Sequence, residues 1–505
     1  MNTTLDFGIF SLIPAGVTIL AAVLTHRVAL ALFLGIVAGA LTVKHAAFGA
    51  GLSACLQYLK LSFADGERLK ISLFILLVGG LLELISRSGA YERFSEAISR
   101  KLDSARKTRV ATFLLSLCVF FDDYANVLIC GASMRTLCPK HRISPALLAY
   151  IVDQTAVIVS VVLISTWAGF EASLLVSSAE PLGVKISSSA LFLGSMPYHV
   201  VTFLGLLLAC LSAWTGTWIG ARLDDGPPAA SVRPPTPPRP ETRLRHLFVP
   251  LGGLVVFAVA GLAGFTLRNI VSSWDSGLSL ITVFSDLPTV DILNASVSIA
   301  LAGGILLFRR DGVLAWREIA GGLWKGMKSL IPTGLVIILA KGLSAVSTDL
   351  GTGLWLTSLL GDRLSPALIP VAAMGVSFLI TVATGFSWSS MAIVMPIGFQ
   401  MALSAGGESL IPIVAGAVIS GSIAGGLIIP YSDTTVITAA GFGIPPLYHA
   451  KTQALQILPL IPVAALAYGL LGSGFGIIVT YLVSAPLVVL LHLLVSRASI
   501  VFDEK

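Results

Sequence analysis

Apolar residues run along this chain in stretches of about 17–25, the length a helix needs to cross a bilayer core. They fall at roughly 9–25, 28–48, 69–86, 144–168 and 196–220, and again at 247–268, 291–308, 329–347, 411–438, 455–472 and 476–495. None has the strict apolar–polar alternation of a barrel strand; Phe248–Leu267 and Ile477–Val495 alternate nowhere. The pattern predicts an all-α polytopic membrane protein with about eleven spans.

Two further apolar stretches resist a simple crossing. Lys and Arg gather at Arg87–Arg109, Arg135–Arg142, Arg222–Arg245 and Arg309–Lys328, so these connections are expected on the cytoplasmic side. The N-terminus is then outside and the C-terminus cytoplasmic. Residues 110–134 lie between two basic segments, so this stretch must enter and leave by one face, turning near Asp122 and Asp123. Residues 365–404 form a second re-entrant hairpin, centred on Gly385. Each hairpin precedes a span interrupted by polar residues, Asp153-Gln154-Thr155 in one half and Ser432-Asp433-Thr434-Thr435 in the other. That order predicts two inverted-topology repeats. The first covers 1–221, with hairpin 110–142 and broken helix 144–168. A Pro-rich cytoplasmic linker, 222–246, joins it to a second repeat at 247–472, with hairpin 365–404 and broken helix 411–438. An additional span and tail occupy 473–505.

Composition adds exclusions. Of 505 residues, 55% are hydrophobic and 11% charged, against about 25% charge in a soluble domain. The net charge of +6 follows topology and implies no nucleic-acid partner. Five cysteines show no CxxC or zinc spacing. No basic residue precedes the first apolar run, which is therefore expected to stay in the mature protein. HExxH and GxxxxGK[ST] are absent, so neither protease nor ATPase chemistry is expected and the chain is read as a non-enzyme.

Candidate chemistry lies in the few acids inside apolar stretches. A charged residue at a membrane centre costs roughly 2.5–3.5 kcal/mol on insertion scales, so such acids are functional candidates by default. Asp122, Asp123, Asp153 and Asp433 all fall at predicted breaks, where carboxylate, hydroxyl and carbonyl oxygens can replace the hydration shell of Na⁺. Asn126, Thr155 and Thr434 are expected to complete this ion site. Two adjacent carboxylates do not both ionise cheaply, so Asp122 and Asp123 suit exchange of protons against a metal ion. No organic cofactor is expected, only Na⁺ or H⁺ as coupling ion. Thr166, Thr384, Gly385, Ser387 and Ser432 are candidates for substrate contact. The neighbouring hydroxyls of Thr381, Ser389 and Ser390 read equally well as bonded back to their own helix. Trp167 and Trp388 read as packing or interfacial anchors, and Glu83 with Arg87 as a helix pair. Lys341 is either a snorkelling residue or a counter-charge to an intramembrane Asp. His141 and His449 are expected on cytoplasmic loops.

At these residues the sequence resembles the NhaC family of Na⁺/H⁺ antiporters, within the ion transporter superfamily. The resemblance is carried by Phe120-Phe121-Asp122-Asp123-Tyr124-Ala125-Asn126, Ala149-Tyr150-Ile151-Val152-Asp153 and Ile164-Ser165-Thr166-Trp167-Ala168-Gly169-Phe170-Glu171. In the second half Ala383-Thr384-Gly385-Phe386-Ser387-Trp388 and Ser432-Asp433-Thr434-Thr435 add to it. It implies two inverted repeats with a hairpin in each, a mobile transport core against a scaffold, and often a homodimer, in the plasma (inner) membrane among its lipids. The chain departs where the family commonly has Gly-Asp-His-Cys-Ser-Pro, reading Gly425-Gly426-Leu427-Ile428-Ile429-Pro430-Tyr431 instead. The resemblance implies a secondary active Na⁺/H⁺ antiporter working by alternating access. The alternative on the same fold is Na⁺- or H⁺-coupled transport of a small organic acid or amino acid, and the third is a passive channel.

Overall fold

The computed structural model describes residues 7–503 apart from 26, 46, 136, 164, 185, 220–238, 273–287, 353–354, 356–364 and 431. Most of the predicted Pro-rich linker and of the connection after residue 272 lies outside the described residues. Every regular element among those described is a helix. Among the described residues seven helices are long and apolar enough to cross a membrane, or up to nine if each bent pair is one span. The difference from eleven has a physical origin. The earliest apolar runs form helices of only 13 and 16 residues, Ile13–Thr25 and Val28–Val43, and the first interrupted span divides into short pieces, whereas Glu408–Leu427 of the second is itself one of the seven.

The first hairpin consists of Ala105–Cys118 and Asp123–Met134. On one continuous helix, ten residues would separate Ser116 from Asn126 by about 15 Å. Instead the Ser116 hydroxyl donates to Asn126 Oδ1 at 2.7 Å, so the chain doubles back across 119–122. In the second hairpin, Leu368–Thr384 and Ser387–Gly406, Ser377 Oγ lies 3.3 Å from Ser390 Oγ for the same reason. Its tip is Gly385, at φ +81°, a left-handed conformation that a Cβ penalises and that ends the first leg.

The first broken span runs as Pro145–Ala156, a 3₁₀ turn to Val161, and then Thr166–Ala179. Ser144 and Ser165 start its two helices, their hydroxyls accepting from Leu147 N and Ala168 N, which satisfies donors the helix leaves open. The break thus lies at 157–165, C-terminal to the expected Asp153-Gln154-Thr155. The second helix continues to Ala179, so residues 169–179, beyond the expected span 144–168, are helical. Sequence reading also passed over the helix Phe48–Phe63, whose mixed faces fall below the apolar density of a span. The second broken span is Ile411–Leu427 followed by Asp433–Phe442.

Glycine lets these units approach. An added Cβ at Gly131 would stand 2.9 Å from Gly441 Cα, so the helices beginning at Asp123 and Asp433 cross almost backbone to backbone. At Gly425 it would stand 2.7 Å from Thr381 Cβ, so the second hairpin packs into the stretch where the sequence departs from the resembled family. The predicted span 455–472 is also bent, into Pro446–Ile457 and Leu460–Gly472 at 44°.

Candidate cation site

The hairpin tips and the first break converge on a partly open space of about 40 Å³. A buried water needs about 10–15 Å³, so this holds a few waters or a small cation with part of its shell. Asp122, Asp123 and Asp153 line it from the first half; Phe386, Ser387, Trp388 and Thr434 line it from the second. Asp122 is 2% exposed, Asp123 6% and Asp153 1%. Among the described lining residues there is no Lys, Arg or His.

Each acid is held differently. Asp123 opens its helix, where the helix dipole favours an anion, and its Oδ2 accepts from Trp167 Nε1 at 3.1 Å. Trp167 meets Trp388 edge-on at 5.9 Å between ring centroids, and Phe170 stacks on Trp388 at 4.3 Å. Both tryptophans are buried, so the packing reading holds over interfacial anchoring, and Trp167 also fixes an acid. Asp153 Oδ2 accepts from Gln453 Nε2 at 2.9 Å and lies 3.2 Å from His449 Nε2. His449 is fully buried in Pro446–Ile457, which corrects its expected place on a cytoplasmic loop. The physical reason is the inward polar face formed by His449, Gln453 and Gln456, four and three residues apart. That spacing was the available signal, and the Lys451 beside it obscured it. An imidazole against a carboxylate forms an acid–base pair able to pass a proton.

Several expected ligands are engaged elsewhere. The Asn126 carboxamide donates to Ser116 O at 2.7 Å and Val119 O at 3.1 Å. It satisfies carbonyls freed where the first leg ends, and it clamps the turn without lining the cavity. Thr155 Oγ donates back to Ile151 O at 2.5 Å. Thr384 Oγ donates to Ile380 O at 2.8 Å and lies 3.1 Å from Ser389 Oγ. Thr381 and Ser390 hydroxyls are 2.6 Å apart, and Ser389 and Ser390 also donate to Phe386 O and Ser387 O. The hydroxyl cluster is thus largely internal to the hairpin. Ser387 faces the cavity while donating to Ser422 O at 3.0 Å, and Ser432 Oγ lies 3.2 Å from Thr434 Oγ. Asp433 begins its helix and Thr166 begins Thr166–Ala179; both side chains lie outside the described residues.

Lys341 is not among the cavity's lining residues. Its Nζ lies 2.6 Å from Asp65 Oδ2 and 3.6 Å from Glu180 Oε2, with Arg68 also paired to Asp65. Glu83 accepts from Arg87 as expected and also from Lys325, both at 2.9 Å. His141 lies 3.2 Å from Leu102 O at the end of a short helix.

A family model described as the Na⁺/H⁺ antiporter family matches residues 161–473. An uncharacterized protein of Haemophilus influenzae is 25% identical over 496 residues, covering 93% of this chain and 92% of its own. The malate-2H⁺/Na⁺-lactate antiporter of Bacillus subtilis is 27% identical over 200 residues, covering 39% of this chain and 40% of its own. The solved structure of MtrF from Neisseria gonorrhoeae, described within a class of antimetabolite efflux pumps, shares the fold. Its TM-score is 0.57 at 16% identity, over 84% of this chain and 85% of that one.

Proposed function

This chain belongs to the Na⁺/H⁺ antiporter family, and from that membership we propose that it exchanges Na⁺ for protons through the carboxylate-lined cavity by alternating access. One observation carries the reading: three buried carboxylates, from the first hairpin and first broken span, face one space with no basic group among its described lining residues. Such a space attracts a cation and disfavours an organic anion. Asp122, Asp123 and Asp153 supply the oxygen ligands, and Asp433 joins them from the start of its helix beside Thr434. Protons compete for the same carboxylates, with His449 exchanging the proton of Asp153. The two hairpins and broken spans move as an inverted pair against the remaining helices, alternately opening the cavity to each face. The N-terminus lies outside and the C-terminus in the cytoplasm, in the plasma (inner) membrane.

The name of the Bacillus relative favours a second reading, in which Na⁺ couples to a small organic acid. Proteoliposomes carrying an internal pH dye separate the two. Addition of Na⁺ alone is expected to move protons, and with equal internal and external Na⁺ no pH change is expected. A pH signal that requires lactate or malate in addition would replace the first reading with the second.

A further inference from the structure

Glu171 lies outside the cavity and is fully buried, and neither of its carboxylate oxygens has a hydrogen-bond partner among the described residues. Its helix, Thr166–Ala179, packs against Gly66–Arg87, Ser188–Ser195, Ile331–Asp349, Ser387–Gly406 and the turns on either side of it. The described charged groups on those elements are engaged with other partners, apart from the buried Nε of Arg68, and Asp349 accepts from the Tyr58 hydroxyl at 2.6 Å. Arg68 pairs with Asp65 and reaches Ser173 O, while Lys341 bridges Asp65 and Glu180. Ser188–Ser195, Ser387–Gly406 and the turn Val157–Val161 contain no titratable residue. Glu67 belongs to the first of those helices, but its side chain lies outside the described residues; Lys70 pairs with Asp291, and Glu83 and Arg87 pair at the far end. An unpaired carboxylate in such surroundings costs far more than a neutral acid, and a buried polar group without a partner calls for a functional account.

The position supplies one. Glu171 follows Phe170, which stacks on the Trp388 of the second hairpin, and lies one helical turn past Trp167, which bonds to Asp123 of the first. Any movement of either hairpin is therefore felt by the helix that carries Glu171. We propose that Glu171 is a proton-carrying site of the transport cycle, separate from the carboxylates that bind the cation; this rests on the antiport reading above. In the closed arrangement the side chain is a neutral acid. When the hairpins move and water reaches it, the O–H bond breaks and the proton passes to water as hydronium; after the reverse movement the carboxylate takes a proton from hydronium at the other face, leaving water. No other co-reactant is required.

The test is to measure protons and labelled Na⁺ moved in the same proteoliposomes. Glu171→Gln is expected to lower the ratio of protons to Na⁺ by about one third to one half, leaving the protons exchanged at the cation carboxylates, and Glu171→Asp, which still titrates, to restore the wild-type ratio. A wild-type ratio in Glu171→Gln, or proton and Na⁺ movement lost in equal proportion, would overturn the proposal and leave Na⁺/H⁺ exchange standing. If the wild type moves no protons when Na⁺ is added, the exchange reading fails instead. The proposal is then decided by infrared difference spectra of wild type against Glu171→Gln. A carboxylic-acid carbonyl band that is missing from the variant, and that fades in the wild type as pH rises, supports it; no such band overturns it.

Discussion

The two hairpins share a shape and divide the chemistry. The first has legs of 14 and 12 residues and a tip carrying Asp122 and Asp123; the second has legs of 17 and 20 and a tip of Thr384, Gly385, Phe386, Ser387 and Trp388. At the first tip the polar groups turn toward the cavity, and Asn126 closes the loose carbonyls behind them. At the second, most hydroxyls turn back on their own backbone, and what the hairpin presents is aromatic surface with Ser387. One hairpin contributes charge and the other contributes shape. A helix break in a membrane therefore does not by itself make a ligand site, because the carbonyls it frees are as readily satisfied by neighbouring hydroxyls as by cargo.

The sharpest way to break this comparison is to neutralise the charged tip. Asp122→Asn and Asp123→Asn are each expected to cut Na⁺-driven proton movement at least about 100-fold in proteoliposomes, with insertion and monodispersity retained. Full activity in both would put the cation elsewhere. A smaller effect is expected at the link between the tips. Trp167→Phe keeps the aromatic contact with Trp388 but removes the N–H to Asp123. Hydrogen bonds to charged groups are worth about 1.5–3 kcal/mol, so the Na⁺ concentration for half-maximal exchange should rise roughly tenfold or more. An unchanged value would mean that Trp167 serves packing alone. The smallest effect belongs to the second hairpin. Ser389→Ala removes a hydroxyl bonded within the tip, and exchange should stay within about twofold while the melting temperature falls by a few degrees. A loss comparable to that of the acids would make this tip a ligand site too and erase the division.

Much of this was legible in the sequence because charge and apolar length are one-dimensional signals. The turn expected near Asp122 and Asp123 falls at 119–122, and the second at Gly385, where a left-handed residue is needed. The restart of the last broken span at Asp433 was also visible. The family match over 161–473 includes Gly385 and Asp433 and begins after the first tip. What was not legible depends on which face of a helix points inward. His449 sits between basic and apolar neighbours and reads as a loop residue until the 44° bend turns its polar face onto Asp153. Asn126 and Thr155 have the right chemistry for ion ligands, yet local backbone bonding claims them. Glu171 follows an aromatic cluster beyond the expected span 144–168, and only the continuation of its helix to Ala179 buries it.

The crossing of Gly131 and Gly441 has a consequence for how affinity can be tuned. Each glycine lies eight residues beyond an aspartate that opens its helix, Asp123 in one case and Asp433 in the other. The crossing therefore behaves like the pivot of a pair of calipers whose jaws carry the acids. A methyl at Gly131 would stand 2.9 Å from Gly441 Cα and force the jaws to shift, whereas one at Gly441 would stand 3.5 Å from Gly131 Cα and fit, so the pivot is adjustable from one side.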